Sequence, residues 1–150
     1  EIGFIFQGFN LIAGLTALEN VELPLIYRGV GKRERLRLAD TALNKVGLDK
    51  RKTHRASEMS VGHQQLVEIA RAIAQAPPII LADEPTGNLD SGSSKEIMEI
   101  LKSLHEEGRT VILITHDNEI AKQAKRVIKI IDGQIVQDSG KEPGEVIEES

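Results

Sequence analysis

The chain has 150 residues, of which 40% are hydrophobic and 3% aromatic, and its formal net charge is −4. This length and apolar content suit a single domain, or a large part of one, with a hydrophobic core, and the acidic balance argues against a surface that binds nucleic acid. Cysteine is absent, which excludes disulfides, thiolate catalysis and cysteine-ligated zinc. No apolar stretch approaches the roughly 20 residues that a membrane-spanning helix needs.

The first half of the chain shows helical patterns. Apolar residues recur at helical spacing over 16–28, 32–46 and 60–75, so we expect three helices there. Gly47 ends the second predicted helix, and Pro77 follows the third. The polar segment between the second and third helices is predicted to be a loop.

The second half alternates strands and helices. The apolar run 79–82 is predicted to be a buried strand, and a turn rich in Pro, Gly and Asn follows it. An amphipathic helix is then expected to end at Gly108, before a second short apolar strand over 111–114. Strand, helix and strand in this order indicate a parallel sheet.

The C-terminal part is predicted to contain a hairpin and a tail. Segments 127–131 and 134–137 flank Asp132-Gly133, which suits a two-residue hairpin turn. Residues 140–150 are rich in Gly, Pro and Glu, so we expect this tail to be disordered. The domain is therefore expected to cover residues 1–139.

Two adjacent carboxylates, Asp83 and Glu84, stand at the end of the predicted strand 79–82. Ligands of open α/β sheets bind at the carboxyl ends of parallel strands. There Asp83 can hold Mg²⁺, which prefers oxygen ligands, and Glu84 can orient or deprotonate a water beside a terminal phosphate. A strand that merely ends in acidic turn residues has the same sequence, so the pair alone leaves both interpretations open.

Four segments, in this order, resemble the motifs of the ATP-binding cassette (ABC) ATPases. IFQ at 5–7 is similar to the Q-loop, and MSVGHQQ at 59–65 is similar to an altered signature motif. LADEPTGNLD at 81–90 resembles the Walker B and D-loop pair, and ILITHD at 112–117 resembles the switch-histidine segment. The resemblance covers residue 1 to about 139 and looks most like the branch that serves lipoprotein release and macrolide export.

The resemblance implies a fold and an activity. The expected fold is α/β, with a P-loop-type nucleotide hydrolase core built on a mostly parallel sheet. An α-helical subdomain at about 16–75 would be inserted before a core at about 76–139. The expected function is that of an ATP-binding and ATP-hydrolysing subunit of an ABC membrane transporter, an exporter or a lipoprotein-releasing system, with ATP and Mg²⁺ as its cofactors.

The resemblance also assigns roles at the nucleotide. Glu84, His116 and Gln7 are the expected catalytic residues, with Asp83 and Gln7 as ligands of Mg²⁺. The Gln7 amide can accept through its oxygen and donate through its nitrogen, and the His116 imidazole can bridge the γ-phosphate and a backbone carbonyl. A lone histidine at a strand end is more often structural, but its place in the motif order favours a functional role.

The family's signature motif contacts ATP on a second ABC ATPase subunit, so the resemblance implies a dimer. The expected ATP-binding residues are Ser60, Gly62 and His63 of the signature and Asp90 of the D-loop. Val61 and His63 replace a glycine and a glutamine of the family pattern, which can weaken the grip on phosphate. Ser60 and Asp90 are also residue types that cap helix N-termini, and both roles remain open.

A membrane partner is implied as well. By resemblance, Gly8 to Tyr27 forms the contact for a transmembrane permease subunit, which places the protein at the cytoplasmic face of the membrane. Phe9, Leu11, Ile12 and Leu15 suit a groove for a partner helix or ordinary core packing, and these alternatives remain open.

No G-x-x-x-x-G-K-[ST] phosphate-binding loop occurs in the sequence. The family places this loop upstream of the Q-loop, and the chain starts at Glu1 without Met. We therefore expect a C-terminal fragment that is inactive alone, rather than a domain that has lost its P-loop. The alternatives to a transporter ATPase are a non-catalytic or degenerate ABC fragment and a soluble ABC ATPase without a transport role.

Overall fold

The computed structural model describes residues 1–8 and 10–140 and the backbone of 145–149. Its six strands are β1 Ile2–Phe6, β2 Ile79–Asp83, β3 Thr110–Ile114, β4 Arg126–Ile131, β5 Gln134–Asp138 and β6 Glu145–Glu149. Its α-helices are α1 Ala17–Tyr27, α2 Lys32–Lys45, α3 Val61–Ile73, α4 Ser91–Glu106 and α5 Asn118–Ala121, with a short 3₁₀ turn at Ala56–Glu58. The chain divides into a sheet unit, Glu1–Gln7 with Pro77–Ser150, and a helical unit, Gly8–Ala76.

The sheet unit is built on six strands in the order β1-β2-β3-β6-β4-β5. Neighbouring strands are parallel except for the antiparallel pair β4 and β5. The predicted α/β class with a mostly parallel sheet is therefore confirmed. Apolar side chains of strands and helices fill the core of this unit, among them Ile5, Ile80, Ile97, Leu101, Leu104 and Leu113.

The first strand was not predicted from the sequence, although buried and exposed residues alternate clearly along it in the structure. Gly3 and Ile5 of β1 are buried, whereas Ile2, Phe4 and Phe6 lie on the opposite face and are 41 to 49% exposed. The rings of Phe4 and Phe6 stack with centroids 5.9 Å apart. This alternation is that of a strand with only one face covered.

The hairpin prediction is confirmed by the turn geometry. Asp132 and Gly133 connect β4 to β5 and have φ angles of +52° and +73°. A two-residue hairpin loop with two positive φ angles matches the twist of the flanking strands, and Asp-Gly tolerates that conformation. This short connection gives the antiparallel edge of the sheet.

The C-terminal tail differs from its prediction. Instead of disorder, the backbone of Glu145–Glu149 forms β6, which pairs in parallel with β3 on one side and β4 on the other. Without it, β3 and β4 would each present a row of unsatisfied backbone N–H and C=O groups. This pairing corrects the expectation for 145–149, while 141–144 and 150 lie outside the described residues.

The helical unit packs α1, α2 and α3 around a small apolar core. Its buried side chains include Val21, Leu25, Leu43, Leu66 and Ile69. Thr16 and Glu19 form a capping box at the start of α1, and the side chain of Glu22 pairs with Arg35 at 2.8 Å. In the part of the chain that the structure describes, no helix has both the length and the apolar character needed to cross a membrane.

Candidate functional site

The carboxyl ends of three parallel strands meet at one edge of the sheet unit. Phe6, the last residue of β1, is in register with Asp83 at the end of β2, and Asp83 is in register with Ile114 at the end of β3. The residues that follow these strands therefore emerge side by side. Gln7 and Glu84 follow directly, and His116 follows two residues after β3.

Glu84 has an unusual backbone conformation. Its φ angle is +47°, in the left-handed region that costs a non-glycine residue about 1 kcal/mol. Its N–H donates to the carbonyl of Ile114 at 2.8 Å, so the hydrogen bonding between β2 and β3 continues one residue beyond β2. This bond holds the strained turn that aims the Glu84 side chain.

Glu84 and His116 are in contact. The backbone N–H of His116 donates to Oε1 of Glu84 at 2.8 Å, and Nε2 of its imidazole lies 3.5 Å from the same oxygen. The Glu84 side chain is 19% exposed and that of His116 is 68% exposed. The structure thus places a partly buried carboxylate next to an accessible imidazole.

His116 is held by its two neighbours in sequence. Thr115 is buried, and its Oγ1 accepts a hydrogen bond from the N–H of Asp117 at 3.0 Å. Asp117 caps α5, because its carboxylate accepts from the N–H of Glu119 at 2.8 Å. The backbone of His116 is therefore fixed while its ring remains free to reach a ligand.

A cavity of about 610 Å³ opens beside this pair, within the sheet unit. Its lining includes Glu84, His116, Thr86, Ser91 and Lys95. Asp117 adds a second carboxylate to the lining. Hydroxyls and one ammonium next to these carboxylates and an imidazole form a polar surface on which a phosphorylated ligand can be held through Mg²⁺ and the cationic groups.

Gln7 is positioned by residues that the sequence did not single out. Its Nε2 donates to Oδ1 of Asn88 at 3.3 Å. A Cβ atom at Gly87 would lie 2.4 Å from that nitrogen, so only glycine permits the close approach of Gln7. No local pattern could have revealed this contact, because Gln7 and Asn88 are 81 positions apart.

Asp83 and Gln7 offer the oxygen ligands that Mg²⁺ prefers. The carboxylate of Asp83 is exposed and makes no hydrogen bond to other residues within 1–8 and 10–140. The same residues contain no cluster of three acidic or histidine side chains that could hold a metal alone. This donor set fits Mg²⁺, which takes one or two protein carboxylates and completes its shell with water and phosphate oxygens.

The predicted ATP-binding residues occur at two helix starts. Ser60 caps α3, where its Oγ accepts from the N–H of His63 at 3.1 Å; Gly62 and His63 lie in the first turn. Asp90 caps α4, where its Oδ1 accepts from the N–H of Ser93 at 2.7 Å. This bond from the backbone of Ser93 lowers the pKa of Asp90, so its charge is kept at neutral pH. The capping alternative therefore holds for both residues and excludes no second role.

The segment expected to contact a permease belongs to the helical unit. Phe9 lies outside the described residues, Ile12 is half exposed, and Leu11 and Leu15 are part-buried. The side chain of Asn20 fixes this segment, because its amide both accepts from the N–H of Ile12 at 2.8 Å and donates to its carbonyl at 3.1 Å.

Comparison with known proteins gives the same assignment as the motifs. Residues 1–87 match the family described as "ABC transporter". Over 143 residues the chain is 52% identical to the macrolide export ATP-binding/permease protein MacB of Mannheimia succiniciproducens, an alignment that covers 95% of this chain and 22% of that protein. The chain thus spans about a fifth of the length of the curated relatives it matches.

Solved structures resemble the chain in fold as well as in sequence. The dimeric structure of MJ0796, a bacterial ABC transporter cassette, is 45% identical with a TM-score of 0.79, and the match covers 93% of this chain and 62% of that one. MJ0796 in a post-hydrolysis state, bound to ADP and Pi, gives a TM-score of 0.78 at the same identity and the same coverage. Because the family match covers more than half of the residues and four motifs occur in order, the chain belongs to the ABC transporter family.

Proposed function

We propose that this chain is part of an ATP-binding and ATP-hydrolysing subunit of an ABC membrane transporter. The observation that carries the proposal is the contact between Glu84 and His116 at the ends of neighbouring parallel strands. The name of the Mannheimia relative, a macrolide export protein, supports the exporter branch.

In the proposed mechanism Glu84 acts on the attacking water. Its Oε1 is occupied by the N–H of His116, and Oε2 accepts no hydrogen bond from the described residues. Oε2 is therefore the oxygen that can orient or deprotonate a water, a role worth about 10²- to 10⁴-fold in rate. The exposed imidazole of His116 would donate to the γ-phosphate.

Asp83 and Gln7 would hold Mg²⁺ beside that phosphate. When bound, the metal would neutralise charge on the β- and γ-phosphates. Gln7 would present its oxygen to the metal while its nitrogen remains on Asn88. The exposed carboxylate of Asp83 would supply the charged ligand.

We propose further that two such subunits close around ATP. Ser60, Gly62 and His63 would face the partner's nucleotide, with Asp90 at the same interface. The dimeric MJ0796 structures support this arrangement. Closure on ATP and opening after hydrolysis would be a ligand-driven shift between two states.

The permease contact is proposed for Gly8 to Tyr27 of the helical unit, at the cytoplasmic face of the membrane. The half-exposed Ile12 and the fixed backbone around it support a preformed docking segment. In the same proposal the helical subdomain is at about 16–75, and the catalytic core is at about 76–139 together with strand β6. The name of the Mannheimia relative, which joins ATP-binding and permease parts, supports a membrane partner.

A Glu84→Gln variant of the complete protein tests the proposed activity. Turnover should fall by about 10²-fold or more while ATP binding is kept, because only the basic oxygen is lost. The exposed residue Glu99 on α4 provides a matched control, and Glu99→Gln should leave turnover unchanged. Near-normal turnover in Glu84→Gln would refute the assignment.

A non-catalytic cassette is the second candidate, favoured by Val61 and His63 in the signature. It predicts no ATPase activity in the unmodified protein, measured with the permease present. ATP binding without turnover in that assay would favour this candidate.

A further inference from the structure

A cavity of about 460 Å³ lies within the helical unit. Its lining is formed by the loop after α2 and the first turn of α3, namely Gly47, Asp49, Lys50, Arg51, His54 and His63. We call the cavity that these residues line the basic cavity. Lys50, Arg51 and His54 belong to none of the four motifs and have no role in the proposed function.

The charges of the basic cavity favour an anion. Lys50 and Arg51 are permanently cationic at neutral pH, and Asp49 is the one carboxylate of the lining. His54 and His63 add positive charge when they are protonated. Two permanent cations in the same space oppose the binding of a metal ion, although two imidazoles are present.

The cationic side chains of the basic cavity have no partner among the described residues. Within residues 1–8 and 10–140, the side chains of Lys50, Arg51, His54 and His63 make no hydrogen bond or ion pair. Two other basic residues of this unit are paired: Arg35 with Glu22, and Lys52 with Asp40. The cavity therefore gathers donors that only a ligand or solvent can satisfy.

The loop that carries these donors is held in place by its backbone. Gly47 adopts a φ of +79° at the end of α2, and the N–H of His54 donates to the carbonyl of Arg51 at 3.1 Å. On the other side, the carbonyls of His54 and Lys52 accept from the N–H groups of Ala17 at 2.9 Å and Leu18 at 3.0 Å. A backbone fixed before binding reduces the ordering cost of taking up a ligand.

We propose that the basic cavity binds a phosphate-type anion. The planar fork of Arg51 and the ammonium of Lys50 match phosphate oxygens, and the imidazoles of His54 and His63 supply further donors. The phosphate group can come from a free anion or from the nucleotide of a second subunit. The second source depends on the proposed dimer, whereas the first does not.

The test is a titration of the chain with inorganic phosphate, followed by NMR of the four histidine rings at constant ionic strength. The Cε1 resonances of His54 and His63 should move to saturation with one dissociation constant, and His105 should not move. The other charged groups of the lining are Asp49, Lys50 and Arg51.

Charge variants distinguish phosphate binding at this cavity from nonspecific electrostatic screening. Lys50→Gln with Arg51→Gln should weaken phosphate binding at least about tenfold, since two charge-assisted contacts are lost. Lys32→Gln with Arg33→Gln removes the same charge from exposed positions on α2 and should have no effect. Absence of a saturable shift up to tens of millimolar phosphate, or equal losses in both double variants, would overturn the proposal.

A dimerisation assay with ATP then identifies the source of the phosphate. In a Glu84→Gln background of the complete protein, loss of ATP-driven dimerisation in the Lys50/Arg51 variant would assign the cavity to the partner's nucleotide. Normal dimerisation with lost phosphate binding would assign it to a free anion. Because the phosphate titration needs no ATPase activity, failure of the catalytic assignment would leave its result intact.

Discussion

The carboxylate of Glu84 is bound to the main chain of His116, through an N–H···Oε1 hydrogen bond of 2.8 Å. The donor is a backbone group, so the contact does not depend on the imidazole. The imidazole itself is 68% exposed and lies 3.5 Å from the same oxygen. Aiming the Glu84 carboxylate and the proposed contact with the phosphate are therefore separable functions of His116.

His116→Ala tests this separation. We expect turnover to fall about ten- to a hundredfold, the range for loss of one charge-assisted hydrogen bond, while the free energy of unfolding changes by less than about 0.5 kcal/mol. Steady-state ATPase assays and urea unfolding of the complete protein would measure both. A large loss of stability would mean that the ring has a structural role.

Gly87→Ala and Asn88→Ala should both disturb Gln7. The added methyl group would displace the Gln7 amide, and the second variant removes its hydrogen-bond partner. Loss of one neutral hydrogen bond corresponds to about a two- to tenfold rise in the Mg²⁺ concentration for half-maximal ATPase activity.

Gly92→Ala is the matched control for Gly87→Ala. A Cβ atom at Gly92 would meet its nearest neighbour, Oδ1 of Asp90, at an ordinary 3.6 Å. The Mg²⁺ dependence of ATPase activity in the Gly92→Ala variant should equal that of the unmodified protein. An equal Mg²⁺ dependence in all three variants would show that the Asn88 contact does not position Gln7.

Asp138 makes the stability of the hairpin pH-dependent. Its hydrogen bonds with the Arg126 guanidinium and then with the N–H of Gly140 lower its pKa to about 2. A carboxyl group with a lowered folded-state pKa stabilises the fold above its unfolded value of about 3.9, and this stabilisation is lost as pH falls toward the folded value.

Asp138→Asn should therefore lower the Tm at pH 7, and the difference from the unmodified chain should disappear between about pH 4 and pH 2. Thermal unfolding followed by circular dichroism would measure it. Asp132→Asn, in the neighbouring turn, should show no such convergence. A constant difference in Tm across this pH range would contradict the role of the charge.

Ser60 combines a cap with a proposed nucleotide contact, and two substitutions separate them. Ser60→Ala should lower the free energy of unfolding by about 1 kcal/mol because the N–H of His63 loses its acceptor. Ser60→Asp should keep the cap but place a carboxylate against the partner's phosphate. Urea unfolding and ATP-dependent gel filtration would report both. Normal ATP-driven dimerisation of Ser60→Asp would argue against a phosphate contact.

Local patterns in the sequence determined most of the elements and the family. Helical spacing and caps predicted α1 to α4, the apolar run before Asp83 predicted β2, and Asp132-Gly133 predicted the hairpin. These signals act between residues only a few positions apart, so no tertiary information is needed to detect them. The order of the four motifs then indicated the ABC family, which the family comparison confirmed.

Only the tertiary structure decided the relationships between distant residues. The insertion of β6 between β3 and β4, the approach of Gln7 to Asn88 and the left-handed turn at Glu84 all depend on partners far away in sequence. Each was invisible to pattern analysis because its free energy comes from hydrogen bonds and close contacts that exist only once the strands are paired. The basic cavity has the same origin, since His63 joins Lys50 and Arg51 only after α3 has packed on the other two helices.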